Sequence, residues 1–347
     1  METFESLVRA EFRPKSTYLN TASTGLLPAR SVVAMRDAVA SVAAGEPADM
    51  FADVEACRTA FARLAGVGAD RVAAGASVAV YSGLIAAALP AGAEVVTAEG
   101  DFSSLVNPFQ VRGDLKVRTV PLERLAESVG PETALVAVSA VQSADGRVAD
   151  LAALAEAARA HGSRTLVDAS QSAGWLPLAA DGHDFVVSVG FKWLLGPRGI
   201  AFLVVPRDLG GLTPLFAGWV AGERPWDSTY GPVAELARSA RRFDESPSLF
   251  SYAGARHSLA LIEELGVAAV HAHDLALADR FRAGVRRLGH EPVAAPGSAI
   301  VSVPGLGGRQ EELERAGIMA SDRAGHLRTA FHLYNTDADV DRLLNAL

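Results

Sequence analysis

The chain has 347 residues, half of them hydrophobic and 21% charged, and its net charge is −8. The length exceeds what one hydrophobic core usually fills, so we expect a large domain and a smaller one. The acidic balance argues against a nucleic-acid partner. Because no apolar run reaches membrane-spanning length and residues 1–16 lack the hydrophobic segment of a secretory signal, we expect a cytoplasmic protein with no membrane partner.

Seven short apolar runs alternate with helical segments, and we predict that each run is a strand. Most of them are apolar almost throughout, which is typical of strands covered on both faces in a largely parallel α/β sheet. Only a short Gly-Pro loop separates the last two, so we expect them to pair antiparallel. The runs are residues 71–77, 93–99, 116–121, 133–141, 164–170, 184–190 and 199–206.

The pattern changes from Ser246 onward, where two long helices, short strands and a closing helix are predicted. We therefore expect a large α/β domain over residues 18–245 and a small α+β domain over 246–347, joined by 1–17. The stretch 215–231 is rich in glycine and aromatic residues and lacks periodicity, which predicts a surface loop near a site.

The lone cysteine, Cys57, excludes a disulfide within the chain. It lies in a helical-looking stretch, and we expect a buried small hydrophobic side chain rather than a catalytic thiol. Lysine is scarce as well, with only Lys15, Lys116 and Lys192. Lys192 lies among apolar residues, where burial lowers the pKa of an amine and favours Schiff-base chemistry. The alternative is a lysine that reaches the surface or pairs with an acid.

Asp168 ends the apolar run RTLVDAS, at the carboxyl end of a predicted strand, where α/β sheets bind ligands. A carboxylate there can pair with a protonated pyridine nitrogen, although a helix N-cap is the alternative. Gln171 follows three residues later. Its amide can donate to a phenolic oxygen or serve as an ordinary capping group.

The segments DASQS at 168–172 and FKWLLGPRG at 191–199 resemble motifs of the class V aminotransferase superfamily. That superfamily includes cysteine desulfurases, selenocysteine lyases, kynureninases and isopenicillin-epimerase-like proteins. The resemblance runs from YLNTASTGLLP at residue 18 to the C-terminal RTAFHLYNTDADVDRLL. It implies a fold type I, pyridoxal 5'-phosphate (PLP)-dependent transferase fold, with a mainly parallel seven-stranded sheet in the large domain. It also implies an amino-acid substrate and a homodimer with shared active sites.

The resemblance also implies cofactor-binding roles for individual residues. Lys192 becomes the Schiff-base lysine, Asp168 the partner of the pyridine nitrogen and Gln171 the donor to the phenolic oxygen. Ala76 and Ser77, in GASVAV, become the phosphate cup at a helix N-terminus. A plain strand-to-helix turn would also use these residues.

Three further assignments follow from the resemblance. Phe102 is expected to stack on the cofactor, Ser143 to make a polar cofactor contact, and Arg328 to clamp the substrate α-carboxylate. Asn20 is expected to shape the side-chain pocket. The structural alternatives are a core phenylalanine at 102 and a surface ion pair at 328.

The chain departs from the family pattern just before the lysine. Many relatives have Ser and His there as phosphate ligands, whereas this chain has Val189 and Phe191. The phosphate is therefore expected to rely on Ser77, on backbone amides and on a hydroxyl from a second subunit, either Ser246 or Ser248.

Two features of the sequence, the position of its cysteine and the identity of residue 171, indicate the reaction type. Residues 306–327 contain no cysteine, so a persulfide-forming desulfurase is not expected. Gln171 resembles the lyase branch, which favours elimination at the β or γ carbon of an amino acid, such as cleavage of a carbon–sulfur bond. Transamination and epimerisation are the alternatives within the family. A non-catalytic PLP-fold binding protein is the alternative from another class.

Overall fold

The computed structural model describes residues 3–46 and 49–347. Its helices are α1 Phe4–Glu11, α2 Ala29–Ala43, α3 Met50–Ala65, α4 Val78–Ala88, α5 Ser103–Gln110, α6 Leu151–His161, α7 Leu249–Leu265, α8 Val267–Arg287, α9 Gln310–Arg315 and α10 Asp337–Ala346. Its strands are β1 Thr17–Tyr18, β2 Val72–Gly75, β3 Glu94–Ala98, β4 Lys116–Val120, β5 Thr133–Ser139, β6 Arg164–Asp168, β7 Phe185–Val189, β8 Ala201–Val204, β9 Ile300–Pro304, β10 Ile318–Met319, β11 Ser321–Arg323 and β12 His326–Ala330.

The large sheet contains seven strands in the order β2-β8-β7-β6-β5-β3-β4. Each strand lies within one of the seven predicted apolar runs. β8 is antiparallel to β2 and β7, and the other pairs are parallel, which confirms the mainly parallel sheet and the expected antiparallel pairing at its end. The central strands β5 to β8 are almost entirely buried because helices cover both faces of the sheet.

Local signals account for where the helices begin and end. The Asp150 side chain accepts a hydrogen bond from the Ala153 amide at the start of α6, and Gly162 ends that helix at φ +69°. Glycine is favoured at this left-handed position because it has no Cβ. The predicted loop 215–231 contains only short 3-10 turns.

A second sheet lies in the C-terminal part of the chain, with strand order β11-β12-β9, all antiparallel. α8 and α10 pack together, and α8 also contacts β9. β1 pairs in parallel with β10, so the N-terminal segment joins the C-terminal region. The domain boundary at residue 245 stays a prediction. Across residues 3–46 and 49–347, every helix is too short or too polar to span a bilayer.

Candidate active site

A cavity of about 440 Å³ lies at the carboxyl ends of the parallel strands, where ligands of α/β sheets bind. Six of the ten residues predicted for the site line it: Asp168 ends β6, and the loops after β2, β3, β5 and β7 carry four more. The sixth, Arg328, is on β12. The six are Ser77, Phe102, Ser143, Asp168, Lys192 and Arg328.

Lys192 follows β7 and is 6% exposed. Its Nζ lies 5.0 Å from the Phe102 ring centroid and 5.9 Å from that of Phe191. Burial lowers the pKa of Lys192 to about 8, although the nearby Asp168 opposes this shift. A Cβ at Gly25 would lie 2.0 Å from the Lys192 carbonyl oxygen, so only glycine allows the N-terminal segment to pack against the lysine here.

Asp168 is the last residue of β6 and is buried. Its Oδ1 accepts a hydrogen bond from the Ser170 amide at 2.8 Å. Burial raises the pKa of the Asp168 carboxyl group, although Lys192 opposes the shift. Among the described residues, no cation lies within ion-pair distance of this carboxylate. A cationic group in the cavity would therefore stabilise it.

Phe102 precedes α5 and is 45% exposed, so one face of its ring is open to the cavity. An open aromatic face near an amine is suited to stacking on a planar ring. This placement is compatible with the role predicted for Phe102.

Gln171 lies behind the cavity lining and is fully hydrogen-bonded. Its Nε2 donates to the Ala22 carbonyl at 2.8 Å and to Ser143 Oγ at 2.9 Å, and its Oε1 accepts from Trp193 Nε1 at 2.7 Å. Donation to a phenolic oxygen would therefore require the release of one of these contacts. Ser143 Oγ also accepts from Arg328 Nη1 at 3.2 Å, so its own hydrogen is free to point into the cavity.

Arg328 is 1% exposed, and within the described chain it has no carboxylate partner. Its Nη1 donates to the Ser143 carbonyl at 2.6 Å, and its Nη2 donates to Ser23 Oγ at 2.6 Å and to Ser321 Oγ at 3.1 Å. Burial, together with the nearby Arg323, lowers the pKa of Arg328. An anion is thus the partner that this guanidinium lacks.

The end of the cavity predicted to hold phosphate contains α4. Ser77 caps this helix, and Ser77 and Val78 line the cavity. Amides at a helix N-terminus are suited to bind a phosphate. The neighbouring Ala76 amide faces the carboxylate of Glu245, whose pKa burial raises and this amide lowers. Val189 and Phe191 line the same cavity without any polar group.

Ser246 and Asn20 lie outside the cavity lining. Ser246 is exposed, just before α7. Asn20 Oδ1 accepts from Ser321 Oγ at 3.1 Å, and Ser321 in turn contacts Arg328, so Asn20 lies one contact behind the guanidinium.

The sequence did not indicate several polar residues that line or support the site. Ser23, Ser104, Ser170, Arg198 and Arg323 line the cavity. Fully buried His332 contacts Asp274 Oδ2 at 2.9 Å and the Trp193 carbonyl at 3.0 Å, which fixes the backbone next to Lys192. A signal existed for Arg198, which lies in the segment FKWLLGPRG with Lys192, but not for Arg323.

The residues present fit PLP. A buried amine, a buried carboxylate without a cation and a capped helix N-terminus surround one cavity with an open aromatic face. Lys192 would hold the aldehyde carbon, Asp168 the ring nitrogen, and Ser77 with the α4 amides the phosphate. When bound, PLP supplies an electron sink for charge that develops at the substrate α-carbon.

Comparison with known proteins agrees with this geometry. The Aminotransferase class-V family model matches residues 17–343. The chain is 30% identical over 315 residues to the uncharacterized aminotransferase YcbU of Bacillus subtilis, covering 84% of this chain and 82% of that one. It is also 30% identical to isopenicillin N epimerase of Streptomyces clavuligerus, over 96% and 94% of the two chains.

A solved structure of the cystine C-S lyase C-DES in complex with cysteine persulfide has the same fold. It superposes with a TM-score of 0.86 at 24% identity, covering 99% of this chain and 98% of that one. The family match and the fold thus confirm the resemblance read from the motifs. The chain belongs to the class V aminotransferase family and is a PLP-dependent enzyme.

Proposed function

We propose that the enzyme is a lyase that eliminates a group from the β or γ carbon of an α-amino acid, such as by cleaving a carbon–sulfur bond. The observation that carries this proposal is the single amine in the cavity, Lys192, with a pKa of about 8. An amine with this pKa can take the α-proton near neutral pH. Elimination needs a base on one face of the substrate, whereas a two-base epimerisation needs a second base on the opposite face.

The roles of the surrounding residues follow from their chemistry. Arg328 binds the α-carboxylate and aligns the α-proton with Lys192, and such positioning supplies much of the rate. With PLP bound, Asp168 would keep the ring nitrogen protonated. The Ser143 hydroxyl would donate to the phenolic oxygen of the cofactor.

The lone cysteine supports a lyase that forms no persulfide on its own chain. Cys57 is fully buried in α3, and its Sγ lies 3.6 Å from the Tyr252 carbonyl oxygen. Burial raises the pKa of the Cys57 thiol, which disfavours the thiolate needed for sulfur transfer.

We also propose a homodimer with shared sites. Val189 and Phe191 offer the phosphate no hydrogen bond, and exposed Ser246 is available to reach a neighbouring site. The exposed face of α2 carries four valines, a concentration of apolar surface typical of an interface. These are Val32, Val33, Val39 and Val42.

The test is a screen of amino acids against the PLP-loaded enzyme, with pyruvate, other keto acids, ammonia and sulfide measured and no keto acid added. A lyase continues to release keto acid and ammonia under these conditions. A transaminase stops after one turnover because it lacks an amino acceptor, and an epimerase exchanges the α-proton without releasing ammonia. Either outcome would contradict the proposal.

Cys57→Ser tests whether sulfur passes through the chain's own thiol. We expect near-normal turnover, since Cys57 lies outside the cavity. Loss of turnover in a folded Cys57→Ser variant would favour a desulfurase. For the dimer, the solution mass of the holoenzyme is the readout, and a monomer that retains PLP would contradict shared sites.

A further inference from the structure

Two exposed arginines, Arg198 and Arg323, line the cavity that buries Lys192. Adjacent hydroxyl groups hold them. Arg323 Nη2 donates to Ser23 Oγ at 3.1 Å, and Arg198 Nη2 donates to Thr24 Oγ1 at 3.0 Å. Two positive charges are therefore held at the mouth of the cavity, beyond the buried amine.

Arg198 is also held by an aromatic ring, since its Cζ lies 4.2 Å from the Phe191 centroid. Some exposed arginines of the chain, such as Arg224 and Arg238, make an ion pair at 3.1 Å. In the part of the chain that the structure describes, no carboxylate oxygen lies within 4.0 Å of Arg198 or Arg323. Both arginines therefore lack an anionic partner among the described residues.

Arg323 and Arg328 share one acceptor. Both donate to Ser23 Oγ, at 3.1 and 2.6 Å, so the two guanidinium groups are neighbours. Like charges so close repel each other unless an anion lies between or beside them. Arg328 keeps only its Nε hydrogen without an acceptor among the described residues, whereas exposed Arg323 keeps a free hydrogen on each terminal nitrogen.

These positions distinguish the two arginines. Arg328 is buried near Lys192, at the depth where the α-carboxylate of a substrate must lie. Arg323 is at the mouth, at the end of β11 that leads into the turn before β12. An acidic group on a substrate side chain that extends toward the mouth would reach Arg323, with Arg198 at the same opening.

We infer that the substrate is an α-amino acid whose side chain carries a carboxylate, and that Arg323 binds this carboxylate at the mouth of the cavity. The inference rests on the proposed function only for the α-amino acid held by Arg328 over Lys192. It does not depend on which bond is then broken.

The test compares matched acid and amide amino acids, aspartate with asparagine and glutamate with glutamine. Their dissociation constants for the holoenzyme are read from the absorbance change of bound PLP, which requires no product release. We expect at least one acid to bind roughly ten- to a hundredfold more tightly than its amide, the range for a hydrogen bond to a charged group.

Arg323→Gln should abolish this preference and leave the affinity for the amide within about twofold, because the mouth is solvated and distant charges are screened. Arg323→Lys should retain part of the preference, since the charge remains without the planar fork. Arg9→Gln is the matched control. Arg9 is highly exposed on α1 and lies outside the cavity lining, so the affinities for acid and amide should both remain unchanged.

Equal affinity of the wild-type enzyme for both acid–amide pairs would overturn the inference. An Arg323→Gln variant that binds acid and amide equally weakly would also overturn it, since Arg323 would then belong to the α-carboxylate site. An enzyme that prefers acids but eliminates nothing would contradict only the lyase proposal. One that eliminates neutral amino acids without any acid preference would contradict only this inference.

Discussion

Two arginines, Arg58 and Arg328, are almost equally buried but have opposite surroundings. Arg58 Nη2 contacts Asp244 Oδ2 at 2.6 Å, and Asp244 Oδ1 accepts from the Ala74 amide at 2.8 Å. Arg328 contacts only hydroxyls and a carbonyl, and its Nε is buried without a partner among the described residues. The protein neutralises the Arg58 charge internally, whereas Arg328 has no carboxylate partner among the described residues.

The comparison shows that the partners of a buried charge indicate its role. Burying a guanidinium costs several kcal/mol unless a carboxylate and hydrogen bonds compensate for the lost hydration. The Arg58–Asp244 pair receives that compensation inside the protein, so its role is structural. Under the proposed function, Arg328 would receive that compensation from the α-carboxylate of the substrate.

Asp244→Ala should have the largest effect on stability. This change leaves Arg58 buried without its carboxylate, and we expect a loss of about 3–5 kcal/mol in the free energy of unfolding. Denaturant unfolding measures it. Glu55→Ala is the matched control, because Glu55 pairs with the same arginine from the surface and should cost less than about 1 kcal/mol. An Asp244→Ala variant as stable as the control would refute the structural role.

Arg328→Met tests whether Arg328 serves substrate binding rather than stability. A long apolar side chain removes an uncompensated charge, so the free energy of unfolding should stay the same or rise by about 1 kcal/mol. The Michaelis constant for the amino acid should rise roughly a hundredfold, and turnover should fall through misalignment. A variant that unfolds readily but binds substrate normally would show that Arg328 is structural after all.

The pKa of Lys192 gives a third effect. With a pKa of about 8, its amine is neutral above that pH and protonated below it. In the apo protein, labelling of Lys192 by an amine-directed reagent should level off above about pH 8, where its amine is already neutral, whereas labelling of an ordinary lysine rises up to about pH 10. Exposed Lys15 and Lys116 are internal references in the same digest. If Lys192 labels in step with them at every pH, the amine is not perturbed.

Glu245→Gln should have the smallest effect. The carboxylate of Glu245 faces the Ala76 amide, next to the predicted phosphate site, so its negative charge opposes the phosphate. Its removal should tighten PLP binding by about threefold and leave the affinity for unphosphorylated pyridoxal unchanged. Weaker PLP binding in this variant would mean that Glu245 positions the residues that bind the phosphate.

Much of the fold could be read from the sequence because it depends on local pattern. The seven strands could be recognised as apolar runs, since a parallel sheet buries both faces of each strand. Lys192 and Asp168 could be recognised as candidate site residues because a charged group at the end of such a run has few structural uses. Cys57 was correctly predicted to be buried from its helical neighbours.

The rest of the site depends on contacts between distant parts of the chain. Gln171 looked like a free amide, but Ala22 and Trp193 reach it from other segments. Arg323 looked like one surface arginine among many, and only the packing of the N-terminal segment against β11 brings Ser23 to it. The local sequence pattern does not indicate which distant segments contact each other.

The central claim is that Lys192 holds the cofactor in the cavity described. Borohydride reduction of the PLP-loaded protein, followed by peptide mass analysis, tests it most directly because the chain has only three lysines. The account predicts one PLP-labelled site, Lys192, and no label in Lys192→Ala, a variant that should still fold. Label on Lys15 or Lys116 in place of Lys192, or persistent specific label in Lys192→Ala, would contradict it.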